Sequence, residues 1–62
     1  WPRFYRSYYL RAGANADRKY YEAALADFDE AIRLRPDFLP AYADRAQTRA
    51  ALGDQAWELI SS

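Results

Sequence analysis

The sequence contains no cysteine and no histidine among its 62 residues. The lack of cysteine excludes disulfides and thiol chemistry, and it leaves the redox compartment undetermined. No apolar run is long enough to predict a membrane span, and the first residues show no signal-peptide pattern. Because an initiating methionine is also missing, we expect the chain to be a segment of a longer protein. The sequence leaves the compartment undetermined, with the cytoplasm as the expectation.

The chain also lacks net charge, since nine basic residues balance nine acidic ones. A neutral chain has no broad positive field, so neither nucleic acid nor a membrane is expected as a partner. With no His, no Cys and no glycine-rich turn, no activated nucleophile or phosphate cradle is recognisable. We therefore predict no enzymatic activity, no cofactor and no metal site. Asp27 and Glu30 lie one helical turn apart, and we interpret them as a pair on a solvated helix face.

Aromatic residues and an internal period are the features that the chain does have. Eleven aromatic side chains supply apolar burial in a chain too short for a deep core. An offset of 34 residues produces seven identities, where ordinary residue usage predicts about two. Such a period indicates a repeated supersecondary unit. The identical pairs are Pro2/Pro36, Phe4/Phe38, Tyr8/Tyr42, Arg11/Arg45, Ala12/Ala46, Ala16/Ala50 and Leu25/Leu59.

Apolar spacing predicts helices separated by short turns, with no strands. The clearest stripe runs through residues 21–34, where apolar side chains recur every three or four positions and Asp29 precedes Arg33 by four residues. Pro36 should end this helix, and Asp37 is a plausible N-cap for the next one. Gly53 followed by Asp54 predicts a stop and a new start. The predicted helices are 5–17, 21–34, 39–52 and a short fourth at 55–60.

Residues 21–36 resemble the tetratricopeptide repeat (TPR) family, whose unit is a pair of antiparallel helices. The match consists of Tyr21, Ala24, Phe28, Ala31 and Pro36 in the family's spacing. The resemblance implies an all-α fold, a short α-solenoid of stacked antiparallel hairpins with three full helices and a short fourth. It divides residues 1–62, taken as one domain, into a tail or cap at 1–4, a first hairpin at 5–36 and a truncated second hairpin at 37–62.

The remaining matches lie mainly in the first helix of each predicted hairpin, and the departures are spread along the chain. Tyr8 stands where the family often has an aromatic residue and Ala12 where it has a small one, which lets the two helix backbones approach. Lys19 occupies a turn site where glycine is usual, and Asn15 replaces a common aromatic residue. The second unit repeats the pattern with Tyr42, Ala46 and the turn at 53–54, whereas Glu58 departs from it.

The resemblance also implies where a partner would bind, because the first helix of each hairpin lines a groove in this family. Tyr9 is the leading contact residue, since an aromatic ring with a polar tip gives a large contact area. The alternative is that Tyr9 packs against the adjacent helix, and the sequence favours neither. The residues carried over by position are Arg6, Tyr9, Leu10, Gly13, Ala16 and Asp17, then Ala43, Asp44, Gln47, Ala50 and Ala51.

Three functions remain open from the sequence. The resemblance favours a protein-interaction module that holds a peptide or a partner helix. The lysine and asparagine with which some members hold a free carboxylate are replaced here by Tyr9, Gly13 and Gln47. The second possibility is a structural segment of a longer array, with self-association through exposed repeat ends. Separately, we expect the fourth helix to fray and Trp1, Phe4, Phe38 and Trp57 to cover the open ends. The third is RNA binding by arginines and stacking tyrosines, against which the neutral charge weighs.

Overall fold

The computed structural model describes the backbone of residues 4–61 and the side chains of residues 4–57. This part of the chain forms three helices: α1 (Phe4–Asp17), α2 (Tyr21–Leu34) and α3 (Leu39–Ser61). It contains no strand, which confirms the predicted all-α class. The predicted bounds of α2 are matched at both ends, and α1 begins one residue earlier than predicted. No helix in the described region is both long enough and apolar enough to cross a membrane.

The turn between α1 and α2 closes through two crossed backbone hydrogen bonds. The Tyr20 N–H donates to the Asn15 carbonyl over 2.8 Å, and the Lys19 N–H donates to the Ala16 carbonyl over 3.0 Å. This pairing is the Schellman motif, which requires a left-handed residue just after the helix. Lys19 has a φ of 67° and therefore adopts the conformation that glycine adopts most readily.

The connection from α2 to α3 follows from Pro36. Arg35 is extended, with φ −144° and ψ 86°, as expected for a residue before proline. α3 begins at Leu39, so Pro40 lies in its first turn, where its missing N–H costs little. The predicted N-cap is wrong, because Phe38 immediately precedes the helix. The Asp37 carboxylate instead accepts a hydrogen bond from Arg35 Nε over 3.1 Å.

The core lies mainly between α1 and α2 and is built from small residues around one aromatic ring. Phe28 is the largest fully buried side chain, and four alanines surround it. Tyr5, Tyr8 and Tyr9 pack against this cluster from α1. The predicted meshing of α2 with α1 is therefore confirmed. The buried alanines are Ala12, Ala24, Ala31 and Ala41.

The predicted break at residues 53–54 is wrong, because α3 continues through it to Ser61. Gly53 does not have a positive φ, so it does not act as a helix stop. A separate fourth helix of about two turns would need a new nucleus, whereas extending α3 adds one hydrogen bond for each residue fixed. The structure therefore contains one complete hairpin followed by a long single helix.

This continuous helix changes the environment of several predicted packing residues. Ala46, expected to pack against a returning helix, is exposed. Phe38, expected at an open end, instead packs edge-on against Tyr5 and Tyr9, with ring centroids 4.9 Å and 5.0 Å away. Phe4 is 68% exposed and Trp57 67% exposed. The predictions for Trp1, the rest of the tail at 1–3 and the Glu58 side chain lie outside the described residues.

Candidate functional site

A cleft of about 220 Å³ lies between α1 and α3, where the sequence predicts a binding groove. Gly13 and Asp17 contribute to it from α1, and Asp44 and Gln47 contribute from α3. Ala16 also lines it. Predicted groove residues from both hairpins therefore meet in one cleft.

Two residues that sequence reasoning did not include complete the cleft. Phe28 reaches it from α2, and Thr48 lines it from α3. Thr48 is buried, and its hydroxyl donates a hydrogen bond to the Asp44 carbonyl over 2.8 Å. This back-bond to the preceding turn satisfies the hydroxyl inside the packed region. The cleft therefore has an aromatic and aliphatic lining with acidic and amide groups beside it.

The remaining groove predictions fall outside this lining. The side chains at four of these positions are exposed on the helix surfaces, and the most apolar of them, Leu10, is 69% exposed. Ala51 is half-buried and lines a second cleft with Lys19 and Tyr21. Whether any of these positions contacts a partner stays a prediction. The four exposed positions are Arg6, Ala43, Ala50 and Leu10.

Tyr9 links α1 to α3 across the groove. Its ring is half-buried, with centroid distances of 5.8 Å to Phe28 and 5.0 Å to Phe38. Its hydroxyl donates a hydrogen bond to Asp44 Oδ2. This hydrogen bond, together with burial and the negative charge of Asp44, raises the pKa of the Tyr9 phenol above its ordinary value. These contacts favour the packing role that the sequence left open for Tyr9.

A polar cluster joins α1 to α2 on the other side of the hairpin. Arg11 donates to both oxygens of Asp27, over 2.9 Å from Nε and 2.7 Å from Nη2, and Asn15 Nδ2 donates over 3.0 Å. Asp27 is only 7% exposed. Its placement with Glu30 on a solvated face was therefore wrong. Asp27 is three residues after Ala24 and four before Ala31, so the spacing of the buried stripe already included it.

The repeat period reappears in paired arginine and tyrosine contacts. The Arg11 guanidinium lies 5.2 Å from the centroid of the Tyr8 ring, and Arg45 lies 5.4 Å from that of Tyr42. Arg45 Nη1 also donates to Asp29 Oδ1 over 2.8 Å, which joins α3 to α2. The repeated side chains thus make equivalent contacts on α1 and α3.

The structure contradicts one predicted ion pair on the surface of α2. Asp29 was expected to pair with Arg33 on the same helix. Instead, Arg33 Nε donates to Glu30 over 2.8 Å, and this contact lowers the pKa of Glu30. Asp29 is thereby left to hold α3 in place through Arg45.

The chain is similar in sequence to a known co-chaperone. The chain is 40% identical over 55 residues to a tetratricopeptide repeat and J domain-containing co-chaperone of Cryptococcus neoformans var. grubii. The match covers 89% of this chain and 10% of the co-chaperone, so the chain spans about a tenth of that protein's length. No family model matches the chain, and no solved structure gives a significant match. The similarity and the helical hairpin together confirm the resemblance to TPR repeats.

Proposed function

We propose that the chain is a protein-interaction module that holds a peptide or a partner helix between α1 and α3. The observation that carries this proposal is the cleft itself, which gathers Gly13 and Asp17 from one helix and Asp44 and Gln47 from the other. Similarity to a protein containing tetratricopeptide repeats supports the same class of function. The proposal includes no catalysis, because no activated nucleophile is recognisable in the sequence.

The cleft has features that suit a binding site. Its lining includes Phe28 and small residues that leave room for an incoming side chain. Amide and carboxylate groups beside this apolar surface can fix the orientation of a ligand. α1 and α3 otherwise touch only lightly, so a ligand that contacts both would add to their association.

Titration of the isotope-labelled chain with candidate partner peptides tests the proposal by NMR. The signals of Tyr9, Asp44 and Gln47 should move, whereas those of exposed Glu22 on α2 should not. Gln47→Arg should change the affinity, and Gln55→Arg on the same helix provides a matched control outside the cleft. Shifts confined to the ends of the helices, or equal effects of the two variants, would count against the groove.

A second candidate function is assembly of a longer array without a ligand of its own. Exposed Phe4, Leu39 and Trp57 favour it, at 68%, 72% and 67% exposure, because large apolar side chains at open ends invite contact with further helices. Sedimentation of the chain over a wide concentration range separates the two functions. Self-association that is lost in Trp57→Ala would support assembly, and a strict monomer at millimolar concentration would defeat it.

A further inference from the structure

The charge of the cleft between α1 and α3 is one-sided. Asp17 and Asp44 line it, and no basic side chain does. Neither carboxylate forms a salt bridge within the part of the chain that the structure describes. Arg11 and Arg45 on the same two helices are already paired with acidic residues of α2. The cleft therefore presents two carboxylates beside small residues and Phe28.

Gly13 provides an independent observation at the same place. It lies in the middle of α1, where glycine costs roughly 0.5–1 kcal/mol relative to alanine. Its φ is not positive, and a Cβ added there would meet nothing within 4 Å. Neither the backbone nor the packing of the chain therefore requires glycine. A glycine that folding does not need, in the lining of a cleft, suits close approach by the backbone of another molecule.

We propose that this cleft binds a basic segment of a partner protein, a proposal that rests on the function given above. A lysine or arginine side chain lies between Asp17 and Asp44, and the partner's backbone passes over Gly13. Asp44 retains one carboxylate oxygen for this contact while the other accepts from Tyr9. Arg6 lies seven residues before Gly13, about 10 Å away along the helix, and neither it nor Arg18 nor Arg49 lines the cleft.

The specificity is tested with a short lysine-rich peptide that has blocked termini. The controls are the same peptide with glutamate, or with glutamine, in place of each lysine. We expect the lysine peptide to bind most tightly and to shift the amide signals of Gly13 and Gln47. Its affinity should fall as ionic strength rises. Asp17→Asn should weaken binding about two- to fivefold. Asp54→Asn removes the same charge from α3 outside the cleft and should leave binding unchanged.

The role of Gly13 is tested by a pair of glycine replacements. Gly13→Ala should raise the melting temperature, because alanine favours the helix. It should still lower the affinity for the lysine peptide several-fold. Gly53→Ala adds the same methyl group to α3, where a Cβ also meets nothing within 4 Å, and should raise stability without changing binding. A more stable Gly13→Ala variant that binds as tightly as the original chain would overturn the backbone contact.

The outcomes separate this inference from the function on which it rests. Equal or tighter binding of the glutamine or glutamate peptide, with shifts at Gly13 and Gln47, would overturn the basic specificity and leave the groove intact. Absence of binding by the lysine peptide would overturn the inference, while the titrations with other partner peptides still decide the groove. Shifts at the helix ends alone, for every peptide tested, would reject both.

Discussion

Replacement of Lys19 by glycine should stabilise the fold. Lys19 occupies the left-handed position of the turn, with φ 67°, and both closing hydrogen bonds depend on that conformation. The left-handed conformation costs an L-residue roughly 1–2 kcal/mol, and glycine avoids this cost but loses more entropy on ordering. The net gain for Lys19→Gly should be about 1 kcal/mol, or about 4–8 °C in melting temperature for a domain of this size.

The assay is reversible thermal and urea denaturation followed by circular dichroism. Lys19→Ala serves as the control, because it removes the charged side chain but keeps a residue for which the left-handed conformation costs free energy. We expect Lys19→Ala to lie within about 0.5 kcal/mol of the original chain, with the urea midpoint raised only in Lys19→Gly. If the two variants have the same stability, the conformation of Lys19 is not a source of strain and the argument is refuted.

Three further predictions concern the contacts between the helices. Asp27→Asn should lower the unfolding free energy by about 1–3 kcal/mol, because a buried acceptor loses its charge-assisted bonds from Arg11. Glu30→Gln, at a half-buried position whose partner Arg33 is exposed, should change the unfolding free energy little. Equal urea midpoints for the two variants would contradict the difference in burial. The raised pKa of Tyr9 stabilises the fold below the unfolded value near pH 10, and this contribution is lost as pH rises through the folded value. Tyr9→Phe should therefore reduce the unfolding free energy by about 0.5–1.5 kcal/mol at neutral pH. Above pH ~10 the difference in stability between the variant and the original chain should become smaller. A difference that is constant with pH would argue against the Asp44 contact. Backbone amides of residues 54–57 should exchange with solvent faster than those of residues 25–32, because residues 53–57 are all exposed. Equal protection of the two segments, measured by NMR, would contradict this.

The elements that sequence reasoning placed correctly are those fixed by several local features at once. The bounds of α2 combine an apolar stripe, the polar turn before Tyr21 and Pro36 after its end. Gly53 and Asp54 carry equally clear stop and start features, yet α3 passes through both. A stop of this kind depends on the following segment finding a surface on which to fold back. That condition is tertiary, and local residues do not encode it.

In the candidate site, too, the sequence pattern predicted some residues correctly and missed those whose position depends on helix packing. The resemblance placed Gly13, Asp17, Asp44 and Gln47 on the groove side of their helices, and the structure brings all four into one cleft. Thr48 was missed, because the rotation of α3 against α2 decides which of its side chains reach the cleft. Asp27 was misplaced for a different reason, since its polarity was given more weight than its position on the buried stripe.

The proposed binding would be coupled to stability, because Asp44 both lines the cleft and holds α3 to α1 through Tyr9. Tyr9 and Asp44 join two helices that otherwise touch only lightly, so weakening their contact would loosen α3 and widen the cleft together. A ligand that spans α1 and α3 would therefore raise the apparent stability in proportion to the logarithm of its concentration over its Kd. Gly13 is the exception, since its replacement by alanine should strengthen the helix while obstructing the partner. That opposition between folding and binding is the behaviour expected of a position kept for contact rather than for packing.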